Sequence, residues 1–515
     1  NQVYASVHGL TALKETLWLV DGLPASSMQA NGQVNIFLNE AMNQEVTYQT
    51  SGVGAEASGG GLRMNIIPRE GGNRFTGGAY LQYGPASWVS NNISPELEAA
   101  GLSAGTSKGR AYDSNVALGG PIRRDRLWFF GAYRQFGEIA LLGDTFDDRS
   151  LDASNWWRPN PNLPQAIDDS TVYSASGRLT AQLDQHDKVT AYYDRPFRRS
   201  TSTNPASPAY SPSQTVYYTA QAKWTSTVSN HLFVEAGFAR TNYTRTQDYA
   251  DPALRPEPNT TEWYANAPHI DLVTDRYWKE TSQLEGRRGV FPVRNVLAGS
   301  ASYVTGSHTA KVGAQFTNGY YGETRSFNGD LVQRYRSGVA DSVTVYNTPV
   351  TYFNSVSGDL GLFAQDSWTI RRLSLNGGVR YDRFASQIDP TSVAAGRFTP
   401  FPREQPEVKM PTWSNVSPRI GGTYDLFGNA RTAIKASFGR YVEQWGTGFA
   451  QTYNSVNVTS ENRTWDDLNG DDIAQDNEIG PPINNNFGSV VAPNRTVDPN
   501  IARGFNLETT AGVQH

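Results

Sequence analysis

The chain has 515 residues, 38 % of them hydrophobic and 12 % aromatic, and a formal net charge of −5; its mean hydropathy is −0.52 and its pI is near 5.8. The acidic balance excludes nucleic acid as the main partner, and the lack of cysteine excludes disulfide scaffolds, cysteine-ligated zinc and thiol catalysis. No run reaches the ~18 consecutive apolar residues of a membrane helix, a test that strands showing only alternate residues to lipid escape.

In chain order, residues 1–73 read as a small mixed region, too short for a good core of its own. Residues 17–20 and 40–48 are short strand candidates. A glycine-rich segment, 52–61, follows, then an apolar stretch, 62–67. The opening Asn1-Gln2-Val3-Tyr4 carries no basic or apolar leader, which does not imply a cytoplasmic protein.

From residue 74 the pattern changes to strict alternation. In 171–183, Tyr173, Ala175, Gly177, Leu179, Ala181 and Leu183 share one face, and Ser174, Ser176, Arg178, Thr180 and Gln182 the other. Val189, Ala191 and Tyr193 repeat this after a turn at 184–187. The same period recurs at 216–225, 310–317, 373–382 and 505–514.

Short connections (120–126, 184–187, 228–231, 305–308, 370–373 and 426–431) alternate with long ones (84–110, 138–170, 195–214, 246–293, 321–357, 385–416 and 443–502). Short turns on one side and long loops on the other are expected of an all-β fold, a transmembrane antiparallel β-barrel. Aromatics gather near both strand ends: Tyr192–Tyr193, Tyr217–Tyr218, Tyr243, Tyr320–Tyr321 and Tyr441 by the long loops, Trp128, Trp224, Tyr303 and Trp368 by the turns. These read as two interfacial girdles. About fourteen strands are expected, from 74–83 to 504–514, with 271–286 read as loop because a strand there breaks the up-down parity. An edge left open in lipid is prohibitively costly, so the expectation is a fragment whose missing strands close the barrel. A soluble β-rich binding protein is the reading that alternation alone leaves open.

The order of these pieces resembles the TonB-dependent outer-membrane receptors, in particular their Oar-like branch. The resemblance rests on Trp18-Leu19-Val20-Asp21-Gly22, on Gly59-Gly60-Gly61-Leu62-Arg63-Met64-Asn65-Ile66-Ile67, and on Arg69-Glu70-Gly71-Gly72-Asn73-Arg74-Phe75-Thr76-Gly77. It continues at Gly119-Gly120-Pro121-Ile122-Arg123, Leu362-Phe363-Ala364-Gln365-Asp366-Ser367-Trp368, Gly378-Val379-Arg380-Tyr381-Asp382 and Pro418-Arg419-Ile420-Gly421. It implies residues 1–73 as the C-terminal part of a plug domain and 74–515 as an incomplete barrel, of about 22 strands when whole. It further implies uptake of a bulky or scarce solute, driven by a TonB-type complex of the inner membrane, in contact with outer-membrane lipid and lipopolysaccharide. No TonB box stands in these residues, so energy coupling attaches to none of them. Oar-like members are also linked with adhesion or protein export, so an alternative role on the same barrel stays open.

Within the loops, Asp467, Asn469, Asp471 and Glu478 fall at positions 1, 3, 5 and 12 of a twelve-residue loop, and Ile473 offers a backbone carbonyl at position 7. That spacing wraps oxygen ligands around Ca²⁺. It departs from the pattern at position 6, which is Asp472 rather than glycine. An acidic, solvated loop tip is the other reading. Trp156 and Trp157 are candidate ligand contacts, since exposed aromatic pairs stack on sugars or apolar groups; packing of the loop onto its neighbours is the alternative. The basic clusters 195–199 and 287–288 read either as lipopolysaccharide or carboxylate contacts or as ordinary surface charge. The six histidines are scattered and no catalytic constellation appears, so no enzyme is expected.

Overall fold

The computed structural model describes residues 16–29, 37, 39–90, 93–100, 105–147, 155–201, 213–249, 251–281, 285–488 and 496–515. Residues 1–15 of the expected plug and most of the 195–214 loop lie outside the described residues.

The N-terminal residues form a sheet of their own from β1 (Thr16–Val20), β2 (Leu23–Pro24), β3 (Asn43–Gln49) and β4 (Leu62–Pro68), in the order β2-β1-β4-β3. Asp21 and Gly22 both take positive φ, 49° and 82°, the pair of left-handed residues that a tight two-residue hairpin demands. The Gly22 N–H donates to Asn65 Oδ1 at 2.9 Å, tying this turn to β4. In β4 the residues Leu62, Met64 and Ile66 are buried while Arg63 and Asn65 are half-exposed.

The second sheet begins at β5 (Thr76–Pro85) and runs through β6 (Ser107–Arg123), β7 (Leu127–Phe146), β8 (Gln165–Gln182), β9 (Asp187–Ser200), β10 (Ser213–Thr227) and β11 (Leu232–Gln247). A small hairpin, β12 (His269–Asp271) and β13 (Arg276–Trp278), stands in the following loop. The next crossing comes in two pieces, β14 (Arg287–Val290) and β15 (Val293–Thr305), both paired to β11 and to β16 (His308–Ser326). Pro292 causes the break, because it has no N–H for the ladder. A second loop hairpin follows, β17 (Leu331–Arg336) and β18 (Val339–Tyr346). Then come β19 (Val350–Ile370), β20 (Leu373–Ile388), the short β21 (Thr391–Val393), β22 (Arg403–Gln405) and β23 (Val408–Lys409), β24 (Trp413–Asp425), β25 (Ala433–Val442), β26 (Ser460–Thr464) and β27 (Phe505–Gln514). With β14 and β15 taken as one crossing, fourteen strands lie along the meander from β5 to β27, each antiparallel to its neighbours. Among the described residues the 271–286 region holds only part of the β12–β13 hairpin outside this sheet, so the up-down parity stands. Strands reach 21 residues in β19, beyond a bilayer's need, because their upper halves go on pairing above the membrane.

The two faces of the sheet differ in chemistry. Leu81, Leu118, Leu179, Leu297, Val312, Val379 and Ile420 are exposed, Leu81 to 79 %. Ser174, Ser176, Thr180, Asp194, Arg380 and Asp382 are buried on the opposite face. An apolar outer band around a polar interior is the arrangement lipid demands, and it removes the soluble β-rich reading. Among the described residues no helix is long and apolar enough to cross a membrane.

The girdle expectation needs correction at its paired aromatics. Tyr193 and Tyr320 face outward, 46 % and 38 % exposed, as does the half-buried Tyr218, whereas Tyr217, Tyr243, Tyr321 and Tyr441 are buried in the lumen. Consecutive residues on a strand point to opposite faces, so a Tyr-Tyr pair cannot serve the girdle twice. Trp224, Tyr303 and Trp368 do stand exposed near the short turns.

Candidate functional site

The interior of the barrel is occupied by the small N-terminal sheet and its glycine-rich loop, held to the wall by charged groups. Arg178 of β8 reaches inward and pairs with Asp21 at 2.8 Å and Glu70 at 2.7 Å, and donates to Pro68 O at 3.0 Å. Lys188 of β9 adds a second cation on Glu70 at 3.2 Å. Glu56 sits between Arg63, 2.6 Å away, and Lys311 of β16 at 2.9 Å. Lys311 and Lys223 of β10 share Glu235 of β11 at 3.5 and 2.8 Å.

Farther along the wall the contacts go to backbone rather than side chain. Arg380 donates to Glu56 O at 3.1 Å and is steadied by Asp382 at 2.7 Å. Arg419 donates to Gly54 O and to Ser58 O, and the Tyr441 hydroxyl to Val53 O at 3.1 Å. A side chain at Gly60 would meet the Tyr441 ring at 2.9 Å, so this loop lies against the wall only as glycine. Burial opposes charge on Glu56, but Arg63 and Lys311 outweigh it and bring its carboxyl down to about 2. For Asp21 burial prevails over Arg178, and its carboxyl lies above the ordinary range. Beside this loop a cavity of about 530 Å³ separates plug from wall, lined by Gly52, Gly54, Gln365, Asp366 and Arg419 among others.

The wall cations Arg178, Lys311, Arg380 and Arg419 were not singled out as site residues by sequence reasoning. The signal was present: a cation in mid-strand, on the polar face of an alternating segment, has only the lumen to point into.

Above the lumen the long loops fold together. β13, β12, β17, β18 and β26 form one five-stranded sheet from three different loops. Its core holds Trp156, Trp278, Tyr335, Val343, Val345 and Trp465. Trp156, expected as an exposed ligand contact, is only 6 % exposed. It stacks on Trp278 at 6.1 Å and meets His269 and Tyr335 edge-on. Trp157 is half-buried, with the Arg158 guanidinium 4.4 Å over its ring. The pair therefore packs its loop onto β12, β13 and β17, the alternative that the sequence left open.

In the 467–478 loop the acidic side chains cap backbone N–H groups. Asp467 accepts from Gly470 and Asp472, Asp471 from Ile473, and Glu478 from Leu468 at 2.9 Å and Gln475 at 3.3 Å; Asn469 accepts from Asp471 at 3.0 Å. Among the described residues no three His, Cys, Asp or Glu side chains are gathered as a metal-holding group. Asp472, the departure at position 6, has a positive φ of 62°. Its carboxylate accepts from the Tyr335 hydroxyl at 2.7 Å and lies 3.3 Å from His269 Nε2. Burial lowers the His269 pKa despite Asp472. Burial opposes charge on Asp472, yet hydrogen bonds from His269 and Tyr335 outweigh it and hold the carboxyl below its ordinary value. Arg397, from the 385–416 loop, ties three more segments together. It pairs with Asp476 at 2.7 Å, donates to Gly329 O at 3.1 Å and Ala474 O at 2.5 Å, and lies between the Tyr264 and Phe398 rings.

The basic cluster 195–199 splits by face. Arg198 lies inward over the Phe37 ring, while Arg195 and Arg199 are exposed on the outside. Arg288 is inward and paired with Glu285 and Glu323, and Arg287 pairs with Asp248.

Comparison with solved structures gives the same architecture. The chain is similar to the outer membrane transporter YddB from Escherichia coli, with 13 % identity and a TM-score of 0.62, over 88 % of this chain and 57 % of that one. It is similar to the alcaligin outer membrane receptor FauA from Bordetella pertussis, with 13 % identity and a TM-score of 0.52, over 85 % and 56 %. It is also similar to the ferripyoverdine receptor of Pseudomonas aeruginosa, with 12 % identity and a TM-score of 0.52, over 82 % and 50 %. The chain thus spans little more than half the length of the structures it matches. No curated protein matches it. The family described as outer membrane beta barrel domain matches residues 151–515. With that match over most of its length and an apolar band turned outward, the chain belongs to the outer membrane beta barrel domain family and resides in the Gram-negative outer membrane.

Proposed function

We propose that the chain is the plug-and-barrel part of a TonB-dependent receptor, of the Oar-like branch, that imports a bulky or scarce solute across the outer membrane with energy from the inner membrane. Residues 1–73 are then the C-terminal part of the plug and 74–515 the barrel. The observation that carries this reading is a small sheet inside the lumen, tethered by ion pairs and backbone hydrogen bonds beside small apolar contacts such as Leu23 with Ala239 and Val296 and Met42 with Phe130. Ion pairs and hydrogen bonds are directional and short in range, so a pull on the plug breaks them in turn. The outer membrane transporter and receptors among its structural neighbours support the same assignment. The test is solute accumulation by cells carrying the full-length protein, with and without a proton-motive force. Uptake is expected to stop on de-energisation. Uptake that persists, or a strain that loses only surface attachment on deletion, overturns the importer.

We further propose that the 467–478 loop takes Ca²⁺ through Asp467, Asn469, Asp471, Glu478 and the Ile473 carbonyl. The left-handed backbone at Asp472, where calcium loops place glycine, supports this, and so does the carboxylate-to-N–H wiring that curls the loop. The side chains are not gathered beforehand, so binding has to draw Asp471 and Glu478 together. Calorimetric titration of the full-length protein is expected to give one calcium site that Asp467→Ala abolishes. Calcium is also expected to slow proteolysis within 467–478. A flat titration with unchanged proteolysis removes the site.

A further inference from the structure

Four Asn-Gly steps stand among the described residues, and the fold holds one of them differently from the rest. Asn318-Gly319 and Asn376-Gly377 lie within β16 and β20, in the ladders of the barrel wall. Asn328-Gly329 is buried, and the Asn328 amide donates to Leu254 O at 2.9 Å and to Asn266 O at 3.0 Å. Asn469-Gly470 sits at the exposed tip of the 467–478 loop, outside every strand. A side chain at Gly470 would meet nothing within 4 Å.

An Asn-Gly step is a place where a chain can react with itself. The glycine nitrogen attacks the carbonyl carbon of the asparagine side chain. A new C–N bond closes a cyclic imide, the bond to the side-chain nitrogen breaks, and ammonia leaves. Water then opens the ring to aspartate or isoaspartate. One water is consumed and one ammonia released, and nothing is oxidised or reduced. Glycine permits the approach because it has no Cβ and a freely turning backbone. A ladder or a buried amide that fixes both residues forbids it.

The groups around the tip match the needs of this reaction. Asp467 Oδ1 accepts the Gly470 N–H at 2.9 Å, where the attacking nitrogen has to shed its proton. The Asp471 N–H donates to Asn469 Oδ1 at 3.0 Å, where negative charge develops as the carbonyl is attacked. Asp471 Oδ2 accepts from Asn469 Nδ2 at 3.0 Å, on the nitrogen that departs. Both carboxylates are held from behind. The Asp472 N–H donates to Asp467 Oδ2 at 3.2 Å, and the Ile473 N–H and Gln475 Nε2 donate to Asp471 at 3.0 and 2.7 Å.

We propose that Asn469 converts itself to a carboxylate, with the Gly470 nitrogen as nucleophile, Asp467 as general base and the Asp471 N–H as the donor to the developing oxyanion. The proton taken by Asp467 returns through solvent to the departing ammonia. The product differs from the loop as synthesised. The donor on Asp471 Oδ2 becomes an acceptor, and two like charges face each other across the former hydrogen bond, so the tip opens. The conversion requires no metal, and it turns position 3 of the calcium pattern into a carboxylate.

The test holds full-length protein in detergent at physiological temperature and pH and follows the tryptic peptide 464–495 by mass spectrometry. Fragment spectra locate the mass gained when an amide becomes a carboxyl. The reference is the same protein unfolded in urea, where every Asn-Gly step reacts as a free chain does. Asn469 is expected to convert about ten-fold faster folded than unfolded, and Asn318, Asn328 and Asn376 more slowly folded than unfolded. Asp467→Ala is expected to bring Asn469 back to the unfolded rate, Asp467→Glu to keep part of the acceleration, and Gly470→Ala to suppress conversion. Heat-modifiable gel mobility shows that each variant retains its barrel. A folded Asn469 that converts no faster than the unfolded chain overturns the proposal, and so does an Asp467→Ala loop that converts at the wild-type rate.

Discussion

Replacing Glu56 with glutamine is expected to loosen the glycine-rich loop from the barrel wall by about 2 kcal/mol, between the scale of an exposed ion pair and that of a buried one. The change leaves Arg63 and Lys311 facing each other across a neutral amide, where the carboxylate had held both within 3 Å. Hydrogen exchange is the direct readout. Amides of 52–66 should lose protection, while those of the barrel strands and the heat-modifiable mobility stay unchanged. The wild type should reach the same condition in acid. Because the folded Glu56 carboxyl is lowered to about 2, its contribution is complete above the ordinary value near 4.5. It is lost as the pH falls through 2. The variant should lack this acid-dependent step. Equal protection in both proteins at neutral pH would show that the backbone contacts from Arg380 and Arg419 hold the loop without the carboxylate.

Arg397→Ala is expected to open the loop sheet without touching the barrel. The side chain is 4 % exposed and joins the 385–416 loop to Asp476, Ala474 and Gly329 while lying between two rings. Each charge-assisted hydrogen bond is worth roughly 1.5–3 kcal/mol when its partner is left buried. The Ala474 and Gly329 carbonyls are the groups left wanting, since Asp476 is exposed and regains water. The expected result is rapid proteolysis between 467 and 488 and a red-shifted tryptophan emission from Trp156, Trp278 and Trp465. Barrel mobility on gels should not change. Unaltered proteolysis would mean that the Trp156 cluster carries the sheet without Arg397.

What was readable along the chain was whatever has a short period. The alternation of Val189, Ala191 and Tyr193 with Thr190, Tyr192 and Asp194 announced a strand with one apolar face. The turn residues at 184–187 and 426–431 marked where the chain reverses. Parity then assigned 271–286 to a loop. All of these depend on residues within a dozen positions of one another, and the backbone's two-residue repeat enforces them whatever the rest of the molecule does.

The candidate site was less readable, because its partners are far apart along the chain. Trp156 looked exposed beside prolines and asparagines, but its cover comes from Trp278, His269 and Tyr335, on β-strands of other loops. Asp472 looked like a defect in a calcium pattern; it anchors to His269, 203 positions away. Arg178 was legible as a polar-face residue, yet its role depends on Asp21, 157 positions earlier. Local patterning selects strand, face and turn because each residue's choice is settled by its neighbours. Which charge meets which, and which aromatic is covered, is settled when the sheet curves round the plug and the loops meet above it. That step depends on how the registers of fourteen strands add up, and no single stretch of the chain contains the sum.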